Sequence, residues 1–280
     1  MTIRIASDRT CDLPQAVVDQ YGIGIVPCYI NVGNTSYLDG IDLTRQDFYE
    51  QLPNYNPYPK TAAPGVGMYS EIYQRLADEG ADQVISLHIH SGLSNLSNTA
   101  RLAAEAAEKV KVSVIEAGQL TLGLGFMAIA AAEAAMKGKS LSEILQMLKE
   151  QEKRTFVFAA FNTLDNLRAS GRAPDIIVRI ANLLHIKPII QLHQGELRLI
   201  GQERTLSRSI DRLVDQAQKF GKIERLAVLH CNAIDKARIL ADKLKSRISY
   251  ELDIWITEIT PVLGVHIGPG AVGLACVAAE

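Results

Sequence analysis

The sequence predicts an α/β fold in two parts: an N-terminal three-layer α/β domain with a mostly parallel sheet over residues 1–154, and a C-terminal α+β domain over residues 155–280. Three observations carry that expectation. Short β-rich runs alternate with longer amphipathic runs through the first half, the pattern of a sheet flanked by helices. After Thr155 the alternation gives way to a hairpin and mixed elements. Charge divides in the same place: residues 1–150 hold 11 Lys/Arg against 17 Asp/Glu and the remainder 18 against 14, so the halves differ as −6 and +4.

The totals narrow the function classes. With 280 residues, 48% hydrophobic and 21% charged, the composition is that of a globular chain, and a net charge of −2 argues against the broad cationic surface of a nucleic-acid binder. Cys11, Cys28, Cys231 and Cys276 are far apart, with no zinc spacing, and are expected to be free thiols. The chain opens on strand-like Ile3–Ala6 without a basic leader, so a cytoplasmic location is expected. The most apolar segment, Val262 to Ala279, is broken by Gly264, Gly268, Pro269, Gly270 and Gly273, and reads as buried strand and turn, with no membrane-spanning segment.

Taken in order, Ile3–Ala6 is a strand, Asp12 caps a helix with Pro14 in its first turn, and Ile25–Val32 is the next strand. Thr44 caps Arg45–Gln51. Leu52 to Pro64 holds Pro53, Pro57, Pro59 and Pro64 and is expected to be a long shaped loop. A helix through Met68, Ile72, Tyr73 and Leu76 follows, then strand Gln83–His88, a helix to about Lys109, and strand Val112–Ile115. Helices Leu120–Lys137 and Leu141–Arg154 close the first half, the second capped by Ser140. The second half predicts strand Phe156–Phe161, a short helix stopped at Gly171, and a helix before Lys187. A hairpin of Ile189–His193 with Glu196–Gly201 turns at Gln194-Gly195; helix 206–220, strand 225–230, helix 234–246 and strand 250–259 complete the half.

Several residues could carry chemistry. His266 lies among apolar residues and glycines; a strand is expected to deliver it, with Gly268-Pro269-Gly270 leaving backbone N–H groups nearby, suited to a small anionic group or to an ordinary turn. Ser91-Gly92 falls between a strand end and a helix start, where α/β proteins place ligands. Ser91 with His266 and an aspartate could form a hydrolase triad, though the G-x-S-x-G elbow is missing. Gly123-Leu-Gly125-Phe-Met-Ala128 fits a loose dinucleotide pattern but also suits close packing of a helix start. His88-Ile-His90 could chelate a metal or simply be satisfied at a strand end. Arg204, Arg208 and Arg212 share one helix face, either a solvated stripe or a docking surface for an acidic partner.

Ser7-Asp8-Arg9-Thr10-Cys11-Asp12-Leu13-Pro14, Lys60-Thr61-Ala62-Ala63-Pro64, Ser91-Gly92, Gly171-Arg172, Lys187-Pro188-Ile189, Arg204-Thr205 and His266-Ile267-Gly268-Pro269-Gly270 form an ordered set. In that order they resemble the DegV family of bacterial fatty-acid-binding proteins, over nearly the whole chain. The resemblance implies a long-chain fatty acid in a tunnel between the two domains, its carboxylate held by Thr61, Ser91, Gly92, Arg172 and His266, with no other cofactor and no metal. It also implies a carrier, not a catalyst, which presents the acid to a fatty acid kinase docking at Arg204, Arg208 and Arg212. Ala62, Ala63, Leu93, Ser94 and Glu116-Ala117 depart from the family pattern and thin the polar lining of the implied head-group region.

Overall fold

The structure is a computed structural model, in which residues 1–172, 186–248 and 253–279 are described. In the first half, β1 (Ile3–Asp8) and a 3-10 turn lead through α1 (Gln15–Tyr21) to β2 (Gly24–Val26). Then come β3 (Tyr29–Val32), β4 (Thr35–Leu38), α2 (Arg45–Gln51), β5 (Lys60–Ala62) and α3 (Val66–Asp78). The half closes with β6 (Gln83–His88), α4 (Leu96–Glu105), β7 (Lys111–Glu116), α5 (Thr121–Met136) and α6 (Leu141–Arg154). Four strands make a parallel sheet in the order β2-β1-β6-β7, and β4-β3-β5 form a small antiparallel sheet beside it.

The second half holds β8 (Thr155–Ala160), α7 (Asp165–Ala169), β9 (Lys187–His193), β10 (Glu196–Glu203) and α8 (Leu206–Gln218). It continues with β11 (Ile223–His230), α9 (Ile234–Arg247), β12 (Trp255–Glu258), α10 (Pro261–Ile267) and β13 (Val272–Ala278). Its six strands run β10-β9-β8-β13-β11-β12, antiparallel except for the β11–β12 pair. One face, with Phe158, Val228 and Leu274, packs on α8 and α9. The other, with Val157, Leu229 and Ala275, joins the core of the parallel sheet.

Helix α5 explains how the two sheets share that core. Apart from Thr121 and Glu133 its sequence is apolar, spread around the helix rather than along one stripe, so it is stable only when largely surrounded. It packs on β1 across one side and on β8 and β13 across the other. The glycines of the loose dinucleotide pattern are close-approach positions here: a Cβ on Gly125 would come 2.7 Å from the Cys11 carbonyl oxygen, and one on Gly123 would come 2.7 Å from Val157.

Local signals read in the sequence recur in the fold. Ser140 and Glu143 form a reciprocal capping box, Thr44 caps α2, and Gln194-Gly195 turn the hairpin with φ of 48° and 77°. Other expectations need correction. The strand expected over Ile25–Val32 is two strands in different sheets, parted at Pro27-Cys28, where proline has no N–H for a ladder. The proline-rich loop contains β5, and the helix expected to reach Lys109 ends at Glu105. The helix before Lys187 and the start of strand 250–259 lie outside the described residues. His266 sits in the last turn of a helix, α10, not on a strand.

Asp12 was expected as a helix cap; it is instead a buried tie with left-handed backbone, φ 54°. Its Oδ1 accepts from the Thr260 amide and hydroxyl, both at 2.7 Å, while Oδ2 accepts from the Thr121 hydroxyl. One carboxyl group thereby joins the β1–α1 turn, the start of α5 and the entry to α10. Burial pushes its pKa up, against the charge of Arg45 and the hydrogen bonds from Thr121 and Thr260. Arg45 reinforces the junction by donating to the carbonyl oxygens of Glu258 at 2.6 Å and Asp12 at 3.2 Å. Asp12→Ala leaves buried donors unpaired and should cost about 3 kcal/mol of stability. Urea unfolding checks this: Asp12→Asn, which keeps an acceptor oxygen, should lose clearly less, and equal losses would reject the hydrogen-bonding role.

Candidate functional site

A cavity of ≈ 310 Å³ lies where the face of the six-stranded sheet meets the ends of β1, β5 and β6. Leu96, Leu120, Val157, Ala159, Ile190 and Leu192 give it an apolar wall drawn from both halves of the chain. Such a surface suits an aliphatic guest, because it offers nothing to hydrogen-bond. Polar groups enter at a few points, and their arrangement decides what else a guest can be.

Thr61 comes from β5 and His266 from α10, and the two meet across the wall with Thr61 Oγ1 2.9 Å from His266 Nε2. Segments distant in sequence hold α10 in place. Asp39 Oδ2 accepts from the Val262 amide at 2.8 Å, the Tyr49 hydroxyl donates to the Ile259 carbonyl at 3.2 Å, and Tyr58 donates to the Val265 carbonyl at 3.4 Å. Burial pushes the Asp39 carboxyl up to about 6 against the pull of Arg9. The helix stops at Gly268, with φ 77°, where a Cβ would meet Asn166 Nδ2 at 2.4 Å. No L side chain fits there without moving the turn behind His266.

Burial, reinforced by the charge of Arg172, pushes the His266 pKa down to about 4, so the imidazole is neutral at pH 7. Its Nδ1 is buried without a partner among the described residues. Both tautomers leave the pair one free donor. If Thr61 donates to Nε2, the Nδ1–H is unused; if Nε2–H donates to Thr61, the threonine proton is unused. Arg172, exposed at the end of the α7 segment, also lines the cavity and donates to the Ser170 carbonyl.

Ser91 and Gly92 stand elsewhere. Both are exposed on the turn after β6 and neither lines the cavity; Leu93, Ser94 and Asn95 do. The Ser91 amide donates to Glu116 Oε2 at 2.9 Å, and Gly92 donates to His90 Nδ1 at 3.0 Å. Burial pushes the Glu116 carboxyl up, but the hydrogen bonds from Arg101 and Ser91 outweigh it and hold the group down at about 2. That capture by Glu116 is the physical reason Ser91 turns from the wall. Among the described residues no hydrogen bond joins Ser91 to His266, so the hydrolase triad is not assembled.

The two histidines of His88-Ile-His90 part company. His88 is buried between Asp8 and Ser86, both at 2.7 Å, while His90 lies beyond the strand end, 3.7 Å from Glu116. Arg208 and Arg212 lie on α8, but Arg204 precedes its cap, Thr205, so the three do not form one helix face; all are exposed, and no ion pair ties their side chains to an acid among the described residues. The sequence reading missed Thr10, Thr121 and His230 as wall residues. Thr10 lies inside a motif already singled out; Thr121 is concealed at the start of an apolar helix. His230 has its pKa pushed down to about 4 by burial and by Arg45.

Over residues 2–279 the chain matches the family model described as "Uncharacterised protein, DegV family". The chain belongs to the DegV family. A DegV domain-containing protein of Streptomyces coelicolor is 32% identical over 274 residues, covering 97% of each chain. Two solved members share the fold. The DegV family protein from Thermus thermophilus, described for its fatty acid binding, has a TM-score of 0.90 at 28% identity over 100% of both chains. DegV from Bacillus subtilis, described as a fatty acid binding protein, has 0.88 at 27% over 99% of both. The two-domain α/β architecture is therefore that of the DegV family.

The depressed histidines have a consequence for this member of the family. Unfolded, His266 and His230 take up protons near 6.5; folded, only near 4. Their contribution to stability is present above about 6.5 and lost as pH falls toward 4. Asp39, raised to about 6, acts in the opposite direction, so the comparison must be made on a common background. Between those pH values His266→Gln should lose less of its thermal midpoint than the parent chain; parallel curves would show that His266 is not held neutral.

Proposed function

We propose that this chain binds a long-chain fatty acid in the cavity between its two domains, divided at Arg154 and Thr155, and carries it without transforming it. The observation that carries this reading is the Thr61–His266 pair, with its unused donor and the Arg172 charge, on the wall of a mostly apolar cavity. Donors around a desolvated carboxylate offset the cost of removing it from water. A tail of about fourteen methylenes adds about 11 kcal/mol before ordering costs. On this reading Ser94 supplies the hydroxyl near the head group, and Ser91 and Gly92 shape the turn that carries it. The fatty-acid descriptions of the Thermus and Bacillus relatives support the same ligand class.

The reading makes the chain a co-substrate for a fatty acid kinase, which would find Arg208 and Arg212 of α8, and Arg204 just ahead of its cap, exposed and free of ion pairs. Among the described residues no helix is long and apolar enough to cross a membrane, and a cytoplasmic carrier suits the four free cysteines.

Native mass spectrometry of the purified chain should reveal the added mass of a fatty acid. A chain that stays empty after incubation with lipid overturns the proposal. Thr61→Val and His266→Ala should each weaken retention by about tenfold or more, since each removes a hydrogen bond to a charged group. For the kinase, Arg204→Glu should slow acyl-phosphate formation while leaving lipid content unchanged; an unaltered rate rejects docking there.

A further inference from the structure

At Thr10 and Thr121 the cavity wall carries hydroxyls whose protons are already committed. Thr10 lies in the turn after β1, and its amide and hydroxyl both donate to Asp8 Oδ1, at 2.8 and 2.5 Å. Asp8 also faces the imidazole of His88 on its other oxygen. Thr121 opens α5, and its hydroxyl donates to Asp12 Oδ2. Both threonines line the same cavity, and α5 packs on the turn that contains Thr10. A hydroxyl has one proton and two lone pairs, so with both protons held by carboxyl groups only lone pairs remain for a guest.

Thr121 is also held at φ 50°, a left-handed conformation that β-branched residues rarely adopt. Strain of that kind at a cavity wall points to a role for the side chain it positions. A carboxylate brought here would set acceptors against acceptors, with Asp8 and Asp12 behind them. A guest hydroxyl brings the missing donor.

We propose that the cavity takes a fatty acid bearing a hydroxyl group within its chain, the hydroxyl donating to Thr10 with Thr121 as a second acceptor; this rests on the fatty-acid reading above. The fold sets the spacing. In the β3–β5 register Ile30 faces Thr61 and Tyr29 faces Ala62, so Cys28 on the wall lies two positions along from Thr61, roughly 7 Å. β1 and β2 are paired with Asp8 beside Val26, and each segment runs on two residues to the wall, at Thr10 and at Cys28, which sets the Thr10 turn beside Cys28 and at about that distance from Thr61. The hydroxyl therefore belongs in the chain interior, well away from the carboxylate.

The test offers the delipidated full-length chain equal amounts of stearate, 7-hydroxystearate and 7-oxostearate, substituted at the carbon that the spacing brings to Thr10, and counts bound species by native mass spectrometry. The hydroxy and oxo acids differ only in exchanging a donor for an acceptor. The hydroxy acid should exceed the oxo acid by about tenfold. Thr10→Val should bring that ratio close to one, and Thr10→Ser, which keeps the oxygen, should preserve it. Equal loading of the hydroxy and oxo acids overturns the inference, as does an undiminished preference in Thr10→Val, while bound stearate leaves the fatty-acid reading standing. No adduct with any of the three overturns that reading as well. The ratio in the parent chain decides even if Thr10→Val does not fold.

Discussion

The Asp12 carboxyl group is the constraint on which the site depends. From the β1–α1 turn its two oxygens reach two segments that nothing in the local sequence brings together, the start of α5 and Thr260 ahead of α10. A buried carboxyl of this kind is costly to desolvate, and burial is the largest influence on its pKa. It is retained because each segment places a wall residue: Thr10 two positions before it, Thr121 bonded to it, and His266 at the far end of the helix that Thr260 introduces. Taking away the Thr121 donor or the Thr260 donors would loosen different sides of the same cavity.

Helix α5 turns this junction into a shared interior. An ordinary α/β helix covers one sheet face and shows its other side to water. This one is apolar around most of its surface, apart from Thr121 and Glu133, and lies between two sheets, so the halves of the chain cannot part without exposing it. The two glycines in its first turns let its backbone approach the Cys11 carbonyl and Val157 more closely than any side chain would allow. Such proximity leaves little slack at the start of α5, the end that carries Thr121.

What could be read from the sequence was what local physics decides. The capping box at Ser140, the I′-type hairpin turn at Gln194-Gly195 and the stop at Gly171 depend on neighbours a few residues away, and all three are present. The two-part α/β architecture was legible in the alternation of short and long apolar runs. The errors arose where tertiary contacts overrode pattern. Val-Leu-Gly-Val-His-Ile is a short apolar run that suits a strand or a buried helix equally. Thr260-Pro261 just before it was the available helix-start signal, with proline in the first turn. Ser91 looked well placed because it follows a strand, but Glu116 comes from the neighbouring strand, β7, and reaches back to hold its amide. Asp12 had the chemistry of a cap and became a long-range tie, a choice that depends on residues 109 and 248 positions away.

The polar groups of the cavity divide by what they can still give. At Thr61 and His266 a donor remains unused in either tautomer, and Arg172 adds positive charge. At Thr10 and Thr121 the protons are spoken for by carboxyl groups, and only lone pairs are left. A guest with one charged end therefore meets two unlike polar regions, and the free energy of the wrong orientation contains both the loss of a donor at one and the approach of acceptors to acceptors at the other. Apolar contact cannot supply this discrimination, because leucine and valine walls accept a methylene chain in either direction. On the proposed reading, orientation in this cavity would follow from hydrogen-bond direction, set at Thr10 and Thr121 by aspartates behind the wall.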